Sequence, residues 1–194
     1  MLLDQTIIKP GVDFTDLDSY PDIGDMSWSG YQKKRLFRNL GDGTFKEIAA
    51  AAGVANDSDG RGVGVGDFDD DGRLDFYQGN ARQPSQLYRN TSDKTGHWVE
   101  LRLVGTRGNR NAIGARVTVR AGGESFLREL NGGNGYSSAS TFRLHFGLGA
   151  LDRVEQVEVR WPGGQTELLT AREGRPPIAV DAISTLVEGK GAQR

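Results

Sequence analysis

Residues 62–80 read GVGVGDFDDDGRLDFYQGN. Asp67, Asp69, Asp70, Asp71 and Asp75 put five carboxylates into nine residues, with Val63-Gly64-Val65-Gly66 leading in and Leu74-Asp75-Phe76-Tyr77 leading out. Like charges this dense repel one another and disfavour a compact chain unless something neutralises them. The flanks read as short strands, so the stretch is a strand, an acidic loop and a second strand. The spacing D-x-D-x-D-G-x-x-D offers oxygen ligands from alternate positions, as a hard divalent cation requires. Asp67, Asp69 and Asp71 can point inward together, Gly72 permits the bend, the Arg73 carbonyl adds a ligand and Asp75 closes the sphere. An EF-hand opens the same way, but its closing Glu position here is Gln78, and the flanks are strand-like rather than helical. Ca2+ suits the loop better than magnesium, which keeps several waters and binds through fewer carboxylates.

The loop belongs to a repeat. Residues 11–39, GVDFTDLDSYPDIGDMSWSGYQKKRLFRN, align without a gap on residues 62–90 at an offset of 51 positions. Leu36-Phe37-Arg38-Asn39 falls on Leu87-Tyr88-Arg89-Asn90, and Asp16 and Asp18 fall on Asp67 and Asp69. A period near 50 residues points to propeller blades or a similar array. In the first copy Tyr20, Pro21 and Gly24 replace Asp71, Gly72 and Asp75, so no tight calcium is expected at 16–24. Between the copies, Gly41-Asp42-Gly43 reads as a turn, and residues 44–54 as a short strand with one or two helical turns around Ala49 to Ala52.

The second half is also all-β. Val99, Leu101 and Leu103 alternate with Glu100 and Arg102; Val117 and Val119 with Arg116, Thr118 and Arg120; Phe142, Leu144 and Phe146 with Arg143 and His145; Val157, Val159 and Trp161 with Glu158 and Arg160. This period of two predicts antiparallel strands with one buried and one wet face. Residues 161–165, WPGGQ, form a turn, and Thr166 to Leu169 return as the next strand.

The 194 residues carry 24 Lys+Arg against 26 Asp+Glu, a net charge of -2 that gives no reason to expect nucleic acid as a partner. No apolar run nears the roughly 18 residues that span a bilayer, and the first residues, MLLDQTIIKPG, do not read as a signal peptide. With no cysteine, disulfides and thiolate metal sites are excluded. No G-x-S-x-G elbow or P-loop occurs, and His97 and His145 read as boundary and surface histidines, which argues against an enzyme. The best ligand loop is Asn131-Gly132-Gly133-Asn134-Gly135-Tyr136, where Asn131, Asn134 and glycine amides could cradle an anion and Tyr136 could stack on a sugar. Residues 106–115, with Arg107 and Arg110, are a second loop of this kind. Asn56 and Asn90 head sequons.

GVGVGDFDDDGRLDFYQGN followed by QLYRN resembles the FG-GAP (VCBS-type) repeat of β-propeller proteins, and residues 36–54 resemble the inter-repeat segment of proteins related to cartilage acidic protein. Residues 97–140, followed by RLHFGLG and VEVRWPGGQTE, are similar to the ASPIC/UnbV domain that ends such proteins. The resemblance implies propeller-type blades followed by a small antiparallel β-sandwich or barrel-like domain. Its divisions would be two repeats over 1–92, the ASPIC/UnbV domain over 93–186 and a flexible tail over 187–194. It implies calcium at Asp67, Asp69, Asp71, the Arg73 carbonyl and Asp75; Asn111 stands where its NR-x-AIGA motif is expected to carry an acidic residue. Three functions are open: a secreted, periplasmic or extracellular calcium-stabilised module of adhesion type binding a protein or glycan; a calcium-dependent enzyme or accessory protein of natural-product biosynthesis; or the structural end of a larger propeller. Two repeats cannot close a propeller, so further blades, another subunit, or packing of the repeats onto the second domain is expected to cover the open array.

Overall fold

The computed structural model describes residues 31–93 and 96–193, and these divide into two compact units at Asp59/Gly60. The loop at 16–24 and the strand expected near residues 11–16 lie outside the described residues.

In the first unit β1 (Phe37–Asn39) pairs antiparallel with β2 (Phe45–Glu47). The predicted Gly-Asp-Gly turn joins them. Gly41 and Gly43 adopt φ of 84° and 85°, and Asp42 Oδ1 accepts the Thr44 amide at 2.9 Å. Around Ala49 to Ala52 the expected helical segment is a single turn, with the Ala52 amide donating to the Ile48 carbonyl at 2.9 Å. Ala49 and Val54 are buried.

The second unit begins with the strands that frame the acidic loop, β3 (Gly60–Gly66) and β4 (Asp75–Asn80), joined by β5 (Gln86–Tyr88) in the order β3-β4-β5. Eight more strands follow: β6 (His97–Val104), β7 (Arg116–Ala121), β8 (Glu124–Glu129), β9 (Arg143–Gly149), β10 (Gln156–Arg160), β11 (Thr166–Thr170), β12 (Ala182–Val187) and β13 (Gly191–Gln193). They form two four-stranded sheets, β11-β10-β7-β8 and β13-β12-β6-β9. Val117, Val119, Val157 and Val159 from the first sheet and Val99, Leu101, Leu144, Phe146 and Leu186 from the second share one buried core with Trp161. Each such side chain contributes roughly 1.5–3 kcal/mol by leaving water. The described residues are thus all-β, with a sandwich-like pair of sheets and no closed barrel among them.

Two details differ from the sequence reading. The sandwich is not wholly antiparallel, because β12 runs parallel to β6, from Ala182↔Val99 to Val187↔Val104. The long connection after β11 lets the chain return in the same direction as β6, as parallel neighbours require. In addition, Gly191–Gln193, within the stretch read as a tail, pairs with Thr185–Val187.

Candidate metal centre

The acidic loop hangs between Gly66 and Asp75, which are paired partners at the ends of β3 and β4. Two of its carboxylates are buried and tie the loop to itself. Asp67 accepts the Asp71 amide at 3.1 Å and the Gly72 amide at 2.7 Å. Asp75 accepts the Phe68 amide at 3.1 Å and the Asn90 amide at 2.7 Å, which clips β5's exit to the loop. Asp70 and Gly72 take φ of 57° and 88°, so the chain doubles back where the spacing placed its glycine. A Cβ on Gly72 would sit 2.0 Å from Trp98 Nε1, so both conformation and space demand glycine there.

This folding brings one oxygen each from Asp67, Asp69 and Asp71 within 4.8 Å of one another, a group that could hold a metal ion. Asp75 stands outside that cluster, with both oxygens taken by amides. Arg89 Nη2 lies 2.6 Å from Asp69 Oδ2 and 3.9 Å from Asp71 Oδ2, and the Arg73 guanidinium pairs with Asp71. Burial pushes the Asp71 carboxyl up, but the Arg73 amide, the Arg73 guanidinium and Arg89 outweigh it and hold the group below its ordinary value. The donor set is all carboxylate, without nitrogen or sulfur, and so fits a hard cation such as calcium or magnesium.

The loop packs on the sandwich through residues that alternation had placed on a wet face. Glu100 of β6 and His145 of β9 are paired neighbours, as are Arg102 and Arg143. Glu100 is completely buried. Arg143 reaches from β9 into the loop: Nη1 donates to Asp70 Oδ1 at 2.5 Å, Nη2 to the Asp67 carbonyl, and Nε lies 3.1 Å from Glu100 Oε2. His145 Nε2 donates to the Gly72 carbonyl at 2.9 Å, and its ring stacks near Trp98 at a centroid distance of 6.0 Å. Among the described residues neither oxygen of Glu100 completes a hydrogen bond. Burial pushes its carboxyl up to about 7; Arg143 opposes this, while Asp67 and Asp70 reinforce it. One signal for this second buried face was in the sequence: Trp98 stands in phase with Glu100, on the supposedly wet side.

The residues that follow the loop singled out at 131–136 lie against β3. The Thr141 amide donates to the Val65 carbonyl at 2.9 Å and Val65 donates to Ser140 Oγ at 3.2 Å, so the segment runs along the outer edge of β3. Asn134 is occupied with Ser140, its Nδ2 donating to Ser140 Oγ at 2.8 Å, while Asn131 and Tyr136 are exposed. In the loop after β6, the amides of Thr106 and Arg107 donate to the buried Glu188 at 2.7 and 2.9 Å, so the chain's own carboxylate fills that cradle. His97 Nδ1 lies 2.7 Å from Asp181 Oδ2.

Comparison with known proteins agrees with this architecture. Residues 105–192 match the ASPIC and UnbV family model, and residues 15–78 match the FG-GAP-like repeat model. Cartilage acidic protein 1 from Homo sapiens is 50% identical over 54 residues, 27% of this chain and 8% of that protein. The protein of the same name from Xenopus tropicalis is 45% identical over 75 residues, 37% of this chain and 11% of that protein. The chain therefore carries an FG-GAP-like repeat and an ASPIC/UnbV domain and is related to cartilage acidic protein, of which the matches cover a small part. Strand β6 precedes the start of the ASPIC/UnbV match, yet it lies in the middle of that domain's second sheet.

Two outcomes follow from this geometry. Gly72→Ala should lose several kcal/mol in chemical unfolding, since the left-handed conformation alone costs about 1–3 kcal/mol and the indole blocks the added methyl. Wild-type stability from such a variant would contradict the Gly72–Trp98 contact. Glu100 binds its proton more tightly folded than unfolded, so its contribution weakens the fold as pH rises. The loss is absent below the ordinary 4.5 and complete above about 7, amounting to about 3 kcal/mol. Glu100→Gln should flatten the stability profile between these limits when measured in EDTA; an unchanged profile would place the effect elsewhere.

Proposed function

We propose that this chain is a calcium-binding, non-catalytic extracellular module of adhesion type, acting through a protein or glycan ligand. The convergence of Asp67, Asp69 and Asp71 in one loop carries the reading. Calcium held there by these three and the Arg73 carbonyl, with Asp75 joining on release of the Phe68 or Asn90 amide, would displace the Arg89 and Arg73 guanidiniums and take over their share of the loop's charge. FG-GAP-like and ASPIC/UnbV domains, and the relation to cartilage acidic protein, support an extracellular setting. A cleft of about 280 Å³ beside the loop, lined by Asp71, Arg73, His97, Trp98 and His145, is a place for the ligand to meet the ion. The His97–Asp181 pair at this cleft favours the second reading, a calcium-dependent enzyme or accessory protein of natural-product biosynthesis, in which Asp181 would orient His97 as a base. Remaining propeller blades or another subunit would cover the exposed Phe37 and Phe45 of the first hairpin.

Calcium at a hundred times its dissociation constant should stabilise the protein by about 2.7 kcal/mol, and Asp71→Ala should remove most of that gain. A melting temperature indifferent to calcium would refute the site. The isolated chain should also self-associate as its concentration rises. A monomer in sedimentation at high concentration would show that the hairpin's apolar residues need no cover.

A further inference from the structure

We propose that the groove between the open edges of the two sandwich sheets docks an extended acidic segment of a partner protein. Strand β11 ends one sheet and β13 ends the other, and both line a groove of about 710 Å³. Each is paired on one side, β11 with β10 and β13 with β12, so the backbone groups on its other side are a template for a further strand. Leu168, on β11, is 57% exposed and offers an apolar contact to such a strand.

Charge selects the strand's character. Arg107, Arg172, Arg175 and Lys190 line the groove against Glu167 and Glu173, with buried Glu188 facing Arg107, an excess of cations on a chain whose net charge is -2. Glu167 is held by the Gly189 amide. Three of these cations stand on turns with fixed backbones. Arg172 and Arg175 exchange backbone hydrogen bonds of 3.0 and 2.8 Å, and Pro176 and Pro177 follow. Arg107 is positioned by the bond from its amide to Glu188. Ordering a peptide on a surface already fixed costs less entropy than ordering both. A sulfated polysaccharide would satisfy the cations alone, whereas a peptide uses the cations, the strand edges and Leu168 together, as in binding by strand addition.

The test uses the full chain and three labelled probes: a ten-residue peptide alternating Asp and Val, the same peptide N-methylated at alternate residues, and a sulfated heparin oligosaccharide. The unmodified acidic peptide should bind, weaken as salt rises, and shift the amide resonances of 166–170 and 191–193. N-methylation should abolish binding, since it removes the donors for pairing while keeping the charge. Arg172→Glu/Arg175→Glu should lower affinity at least tenfold with an unchanged melting temperature, and Lys190→Glu gives an independent variant should that pair misfold. Binding should persist in EDTA, which separates this surface from the ion reading. No binding by the unmodified peptide, equal binding by the N-methylated one, or tighter binding by the oligosaccharide would overturn the proposal.

Discussion

One guanidinium ties the acidic loop to the sandwich within the second unit. Arg143 stands on β9 with Glu100 buried against its Nε and the backbone and side chain of the acidic loop on its other two nitrogens. Burial alone would lower its affinity for a proton, but Asp70, Glu100 and Asp67 more than reverse that, so the group stays charged. A buried ion pair of this kind contributes little net stability, whereas removing one partner strands the other at a cost of about 3–5 kcal/mol. Its value lies in position: it holds the Asp70 carboxylate and the Asp67 carbonyl at once and so fixes the loop against the sheet.

From this follows the link between the ion-binding candidate and the sandwich. Asp67 is in the carboxylate cluster, and its own carbonyl is held by Arg143. Gly72 gives its amide to Asp67 and its carbonyl to His145, while its bare Cα admits Trp98. The loop's inner surface is therefore fixed by the second sheet, and its outer carboxylates, Asp69 and Asp71, by Arg89 and Arg73. A cation at the cluster would take the place of the Arg89 and Arg73 guanidiniums while Arg143 and His145 keep their hold on the loop backbone.

The sequence carried the strands that turn an apolar stripe to the shared core. Alternation located β6, β7, β9 and β10, because apolar residues at every second position mark the face turned to the shared core, and the turn at 161–165 located β11. Spacing likewise located Gly72 and the convergence of Asp67, Asp69 and Asp71. The alternation of β8 is hidden because it is an edge strand exposed at nearly every position, and the parallel return of β12 leaves no periodic mark. Glu100 and Arg143 were misplaced for a deeper reason. A polar residue on the alternate face looks the same whether water or a second layer covers it, and only tertiary contact distinguishes the two.

The loops that resemble ligand sites illustrate the same ambiguity. Glycine amides and short polar side chains suit anion binding because they leave backbone donors uncovered, and uncovered donors are what an edge strand needs as well. At 134–141 such a segment lies along β3, where Gly62 and Gly66 leave room for the close approach of residues 136–141. At 106–107 it encloses Glu188, so a carboxylate of the chain takes the place a phosphate or sulfate would otherwise claim. Composition identifies groups that want an acceptor; the fold decides whether the acceptor is a ligand or the protein itself. In the groove between β11 and β13 the two edge strands stand beside four cations, and on our proposal a partner's strand would meet the demand there.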